Sequence, residues 1–253
     1  MPVTIDLGGR VVLLTGALGS LGRAQARRLA EAGASLILHD HPSKADPSFA
    51  RELADRYDTP CAFVAFDLGD LARSKDEAAA LSDAHGGIDI LINNAALIEN
   101  RLFAETTIEQ YEEQLRVNAA AAFALAQGVA PGMRTKGGGR IINFCSITLN
   151  GRWTGYAPYV MSKAALHGLT KALARELGPD NIRVNAIAPG AVVSDAEARV
   201  FGDRAEEYAS WVLDNQCLKR RIEPHHIADA ILFLASDLSE MVSGTMLDVT
   251  AGW

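Results

Sequence analysis

Cysteine is scarce in this chain of 253 residues: only Cys61, Cys145 and Cys217 occur, widely separated and without a Cys-x-x-Cys pair. That spacing offers neither a disulfide framework nor a zinc pattern, so no metal is expected. Cys145, in an apolar run, reads as a packing residue rather than a nucleophile. Long apolar stretches are also missing; none approaches the ~20 residues that span a bilayer. The amino-terminal stretch Met1-Pro2-Val3-Thr4-Ile5-Asp6 has no charged region ahead of an apolar core, so a cytoplasmic protein without membrane contact is expected. Basic blocks are absent and the formal net charge is −7, which argues against nucleic acid or an anionic membrane surface as a partner. There is no internal repeat and no low-complexity tract. His225-His226, after Pro224, stand without a surrounding set of carboxylates or histidines and read as the solvated start of a helix rather than as metal ligands.

Near the middle of the chain stand Ser146, Tyr159 and, one helical turn further on, Lys163. The i, i+4 spacing in Tyr159-Val160-Met161-Ser162-Lys163 places the phenol and the ammonium on one face of a helix. A free phenol titrates near ~10 and is a poor base at neutral pH. A neighbouring cation favours the phenolate, and lowering the pKa by ~3 units takes roughly 4 kcal/mol. Such a pair suits the removal of a proton from an alcohol. Tyr and Lys at helical spacing also recur by chance, so the trio needs context.

The amino-terminal segment supplies it. Arg10 to Thr15 is a short β-branched apolar run that reads as a buried strand. It leads into Gly16-Ala17-Leu18-Gly19-Ser20-Leu21-Gly22, and Arg23 to Glu31 then carries apolar residues at helical intervals up to Gly33, a C-terminal cap. Strand, glycine turn and helix make a phosphate cradle, with backbone able to approach a pyrophosphate and free N–H groups facing it. A second apolar run, Ala34 to Leu38, ends at His39-Asp40, where a dinucleotide-binding βαβ unit places its acidic residue. Asp40 can accept both ribose hydroxyls of NAD and would repel a 2′-phosphate; Arg23 is the cation read as closest to it.

Together these segments resemble the short-chain dehydrogenase/reductase family, in its compact branch of about this length, over essentially the whole chain. The family's Thr-Gly-x-x-x-Gly-x-Gly is matched by Thr15, Gly16 and Gly22, with Ser20 at the middle glycine and Gly19 one place early. Asn93-Asn94-Ala95-Ala96 matches its Asn-Asn-Ala-Gly. The resemblance implies that Asp67, with Leu68, borders the adenine ring, and that Asn118 is a fourth catalytic residue holding a water that links Lys163 to solvent. It also implies that Pro189-Gly190, Val192 and Ser194 bind the nicotinamide end, and that Ser243 to Trp253 forms the closing strand region. The cofactor residues expected are thus Gly16, Ser20, Leu21, Gly22, Asp40, Asp67, Leu68, Asn94, Ala95, Tyr159, Lys163, Pro189, Gly190, Val192 and Ser194. The catalytic set is Asn118, Ser146, Tyr159 and Lys163.

Length and pattern predict a single α/β domain over residues 1–253, a doubly wound parallel Rossmann sheet of seven strands with helices on both faces. The strands are placed near 10–15, 34–39, 61–66, 88–92, 139–145, 182–188 and 246–249, and every motif falls at a strand's carboxyl end. A substrate loop is expected near 191–222. The segments around the pocket contain Asn150, Arg152, Trp153, Tyr156, Trp211, Gln216, Lys219, Arg220 and Arg221. Amides, cations and aromatic rings suit a sugar or another small polyhydroxylated or anionic alcohol, with Ser146, Arg152 and Tyr159 as its contacts. The run Lys219-Arg220-Arg221 reads equally well as a solvated or subunit-facing stretch.

The function expected is hydride transfer from a polar secondary alcohol to NAD. The alternatives are reduction of an acyl thioester, steroid or other apolar ketone, and a catalytically silent NAD-binding module. The resemblance implies a homotetramer or homodimer, paired through helices around Thr107 to Ala130 and Tyr159 to Gly178. The alanine-rich face Ala119 to Ala126 suits close helix approach or packing on the sheet alike.

Overall fold

Short runs of Val, Ile and Leu form strands here because both faces of each run are covered, and the covering alternates along the chain. In strand β1 (Val11–Thr15), Val12 and Leu14 enter one apolar core while Leu13 enters another. Leu36 and Leu38 against Ile37, and Ile90 and Ile92 against Leu91, divide in the same way. Burying each such side chain contributes roughly 1.5–3 kcal/mol.

The computed structural model describes residues 4–253; Met1 to Val3, part of the stretch read for a leader, lie outside the described residues. After β1 come helix α1 (Ser20–Glu31), strand β2 (Ser35–Asp40), helix α2 (Ser48–Tyr57), strand β3 (Cys61–Ala65), helix α3 (Leu71–Ala84) and strand β4 (Ile90–Asn93). Helix α4 (Ile108–Leu115) passes through a π-helical turn at Arg116–Ala120 into helix α5 (Ala121–Thr135). Strand β5 (Gly139–Phe144), helix α6 (Ala157–Leu177) and strand β6 (Ile182–Pro189) follow. Helices α7 (Asp195–Phe201), α8 (Ala205–Asn215) and α9 (Pro224–Ala235) lead to strand β7 (Met246–Val249).

All pairings in the seven-stranded sheet are parallel, in the order β3-β2-β1-β4-β5-β6-β7. The chain winds outward from β1 in both directions, so the connections leaving β1 and β4 run to opposite faces of the sheet and open a crevice at the strands' carboxyl ends. Helices α1, α2 and α9 cover one face; α3, α5 and α6 cover the other. The strand placements agree with the sequence reading to within two residues at each end.

The helix expected from Thr107 to Ala130 is broken instead. Thr107 caps α4 in a capping box with Gln110, and the π turn then adds a residue before α5 begins. Such turns arise inside helices where a side chain is presented out of register, and here the buried residue is Asn118. The alanine-rich face is used inside the chain: Ala121, Leu125 and Ala126 belong to the core. Next to them, a Cβ on Gly128 would lie 2.5 Å from the Lys75 carbonyl oxygen of α3, so α5 meets α3 almost backbone to backbone.

Candidate active site

The glycine turn is held from three directions. Asn94 donates from Nδ2 to the carbonyls of Thr15 at 2.8 Å and Gly16 at 3.1 Å, and its Oδ1 accepts from Gln25 at 2.9 Å. The Thr15 hydroxyl accepts from the N–H groups of Asn94 and Ala95, both at 3.1 Å. On the far side, Asp40 Oδ2 accepts from Leu18 N at 2.9 Å. Gly22 lies so close beneath the turn that a Cβ there would stand 2.2 Å from the Gly16 carbonyl oxygen. Helix α1 starts at this turn, and its N-cap, Gly19, offers no side-chain cap, whereas Asp70, Thr107 and Ser194 cap α3, α4 and α7. The uncapped N–H groups of α1 therefore face the crevice, which suits a pyrophosphate.

Asp40 is buried at the end of β2 with Oδ1 accepting from His41 N at 2.9 Å. Each carboxylate oxygen retains a lone pair for a ribose hydroxyl. The cation that lines the crevice on this side differs from the one read in the sequence. Arg23 turns away, donating to the Leu18 carbonyl and lying over the Phe49 ring at 4.5 Å, while Lys44 lines the crevice. The dinucleotide fits this set, with glycine backbone for the diphosphate and a carboxylate for the ribose.

The crevice has a volume of about 760 Å³. Every cofactor residue expected from sequence lines it, as do Ser146, Tyr159 and Lys163. Ser146 follows β5, and its Oγ accepts from Thr148 N at 3.1 Å and from Thr148 Oγ1 at 3.0 Å. Those contacts leave its own O–H free to donate into the crevice. Tyr159 and Lys163 lie on the buried face of α6 with Ser162, Leu166, Thr170 and Leu173.

Lys163 is 1% exposed and donates from Nζ to the Phe144 carbonyl at 2.7 Å. Burial lowers its pKa to about 8, so the ammonium form still prevails at neutral pH. The effect on the phenol is opposite to that expected from the spacing. Burial pushes Tyr159 up to about 12, with the Ser146 hydroxyl offsetting part of the rise. Lys163 Nζ stands 5.4 Å from the phenol ring centroid and is anchored on Phe144, so desolvation outweighs the help the sequence assigned to it.

Asn118 and Arg152 do not join the trio in the crevice lining. Asn118 is buried in the π turn; its Oδ1 accepts from Leu97 N at 2.7 Å, and its Nδ2 donates to Leu97 O at 2.9 Å and Ser162 Oγ at 3.0 Å. Its carboxamide ties the segment after β4 to α6, one residue from Lys163. Arg152 is exposed on the loop after β5, which corrects its expected contact with substrate: that loop lines the crevice with Ile147, Thr148, Trp153 and Tyr156 instead. The run at 219–221 also serves the protein itself. Lys219 donates to the carbonyls of Leu213, Asp214 and Gln216 at the end of α8, and Arg221 pairs with Glu197 at 2.6 Å. Glu197, Phe201 and Tyr208 line the crevice and were not singled out from sequence, because α7 and α8 carry no motif.

Cys145 packs in the core with its thiol pushed up to about 11 by burial, in line with a packing role. His226 accepts at Nδ1 from Glu223 N at 2.9 Å and closes the cap of α9. No cluster of three potential metal ligands occurs among the described residues.

Residues 16–253 match the profile described as enoyl-(acyl carrier protein) reductase. The chain is 34% identical over 248 residues to D-xylose 1-dehydrogenase of Caulobacter vibrioides, covering 98% of this chain and 97% of that protein. It belongs to the short-chain dehydrogenase/reductase family. A second member, the 3-oxoacyl-[acyl-carrier-protein] reductase of Aquifex aeolicus, is 33% identical over 98% of both chains. The crystal structure of L-sorbose reductase from Gluconobacter frateurii, complexed with NADPH and L-sorbose, superposes with a TM-score of 0.92 at 30% identity, covering 99% of this chain and 98% of that one. Family members thus include dehydrogenases and reductases named for sugars and for acyl carriers.

Proposed function

We propose that this protein is an NAD-dependent dehydrogenase that oxidises a hydroxyl of a sugar or another small polyhydroxylated alcohol. The reading rests on one observation: Ser146, Tyr159 and Lys163 converge on the same crevice as the glycine turn and Asp40. The bound nicotinamide supplies the hydride acceptor. Ser146, its oxygen held by Thr148, donates to the substrate oxygen and orients it. Tyr159 exchanges the alcohol proton at its phenolic oxygen. Lys163 uses one N–H on Phe144 and keeps two for the nicotinamide ribose. Asn118 acts through position, bracing the segment after β4 against α6.

Because burial, above all, raises the phenol, Tyr159 is a proton donor at neutral pH and becomes an acceptor only when further positive charge lies beside it. Asp40 favours NAD, since a 2′-phosphate next to a buried carboxylate is repelled. Sugar dehydrogenation is supported by the D-xylose and L-sorbose enzymes among the relatives. A second reading, reduction of an acyl or other apolar ketone, draws on the profile match and the Aquifex relative, and on the rings of Phe144, Trp153, Phe201 and Tyr208 along the crevice. A silent binding module has no use for the complete set of Asn118, Ser146, Tyr159 and Lys163.

The test is NADH formation across neutral sugars, sugar acids, polyols and apolar secondary alcohols, with Tyr159→Phe as the blank. Turnover of polyhydroxylated members that falls by at least about 10²-fold in the variant is the expected result. Turnover of apolar alcohols alone selects the second reading, and wild-type rates in Tyr159→Phe remove the phenol from the reaction.

A further inference from the structure

Helix α7 borders the end of the crevice beyond Ser146 and is fixed at its amino-terminal end. Its first N–H, on Asp195, donates to Ser20 Oγ at 3.0 Å, which ties it to the glycine turn. Its N-cap, Ser194, accepts from Glu197 N at 3.2 Å. Glu197 itself lines the crevice, and its side chain is 18% exposed. Arg221, which is not part of the lining, approaches the carboxylate with Nη2 at 2.7 Å from Oε1 and 2.6 Å from Oε2. One nitrogen shared between two oxygens uses one lone pair on each. The remaining lone pairs belong to a carboxylate that is held rigidly, partly desolvated and open to the crevice.

Acidic side chains outnumber basic ones around that carboxylate in the lining. The charged residues on this half of the lining are Glu113, Asp195 and Glu197 against Arg199 and Lys163, and Lys163 sits at the catalytic end, held on Phe144. Arg199 is exposed at the rim, and the Arg152 that could have clamped an anion lies outside the lining. Tyr208, in the next helix, lies close enough that the Glu197 charge adds to burial in pushing its phenol up to about 12. The Tyr208 hydroxyl is therefore a donor in the same lining as the Glu197 acceptor. Donor and acceptor together match vicinal hydroxyls, whereas a substrate carboxylate, phosphate or sulfonate in the same place would meet the Glu197 carboxylate.

We infer that Glu197, held by Arg221, selects a neutral polyhydroxylated substrate and rejects its anionic counterpart. The inference rests on the proposed sugar or polyol dehydrogenase activity and narrows it to uncharged members. A hydrogen bond to a charged acceptor that is lost weakens binding by about tenfold or more, and loss of the repulsion strengthens binding of the anion.

The experiment compares kcat and KM for an aldose and for the uronate of the same carbon skeleton, which keeps the anomeric and secondary hydroxyls, in the unmodified protein, Glu197→Gln and the double variant Glu197→Gln/Arg221→Gln. The unmodified protein should prefer the aldose. In Glu197→Gln the ratio of kcat/KM, aldose over uronate, should fall by at least about tenfold, mostly through KM, because Arg221 is left as an uncompensated cation. The double variant should fall in between and covers the event that the single variant, with its unpaired guanidinium, does not fold. An unchanged ratio with polyol turnover intact overturns this inference alone, since a purely structural latch lowers both substrates alike. Absence of turnover for every sugar and polyol in the unmodified protein overturns the dehydrogenase reading and this inference with it.

Discussion

The carboxylate of Asp40 is fixed by the backbone N–H groups of Leu18 and His41, so its charge cannot swing away from a ribose bound at the end of β2. Asp40→Ser removes the repulsion of a 2′-phosphate and one ribose acceptor together. Its kcat/KM ratio for NADP over NAD should rise by at least about tenfold, the scale of one charge-assisted contact. Steady-state rates with both cofactors give the answer, and an unmoved ratio would show that another group sets the preference. Lys163 makes a prediction about stability. Its ordinary pKa of 10.5 falls to about 8 through burial, so between those values the unfolded chain binds more protons than the folded one. Stability from this group rises with pH across that window and is at its lowest below it, a span worth roughly 3 kcal/mol. The Tm of the unmodified protein, measured against Lys163→Met, should gain as the pH rises from about 8 towards about 10. A gap that stays constant with pH would mean the ammonium is not desolvated.

Among the elements, the start of α1 tolerates least. A Cβ on Gly22 would collide with the Gly16 carbonyl and the Ala17 backbone, the latter at 2.8 Å, and neither is the movable end of a side chain. Gly22→Ala must displace the helix from the turn. A cost of about 1–3 kcal/mol in stability is expected, together with at least tenfold weaker NAD binding by calorimetric titration; tight binding in the folded variant would separate the turn from the cofactor. The sequence motif located this element but not the use of Ser20, whose hydroxyl accepts from α7 across 175 positions of chain. A contact between distant segments leaves no periodic trace. The π turn was equally invisible, because Asn118 is drawn inward by Leu97 and Ser162, which are neighbours only in the fold.

For the whole molecule, assembly is the open consequence of the surface. The alanine-rich face of α5 is spent on the chain's own core and on α3, so the pairing expected of α4, α5 and α6 must use other residues. Ile108, Phe123 and Met161 stand outward on those three helices, 66%, 47% and 50% exposed. Side chains of this size left in water on adjoining helices mark an association surface. We propose a homodimer or homotetramer joined there. Sedimentation equilibrium should give a mass of two or four chains, reduced to one in Phe123→Glu/Met161→Glu; a single-chain mass for the unmodified protein contradicts the proposal. Among the described residues no helix is long and apolar enough to cross a membrane.

Local chemistry was legible in the order of residues. The strands, the glycine turn, Asp40 and the Ser146, Tyr159 and Lys163 spacing depend on neighbours a few positions apart, and periodicity and motif record such neighbours directly. Three-dimensional packing decided the rest. It set the desolvation that raises Tyr159 and lowers Lys163, turned Arg23 onto Phe49 and left Arg152 in solvent. It also joined Arg221 to Glu197 across 24 positions. Burial and ion pairing depend on which distant segments meet, and that is a property of the folded chain rather than of any stretch within it.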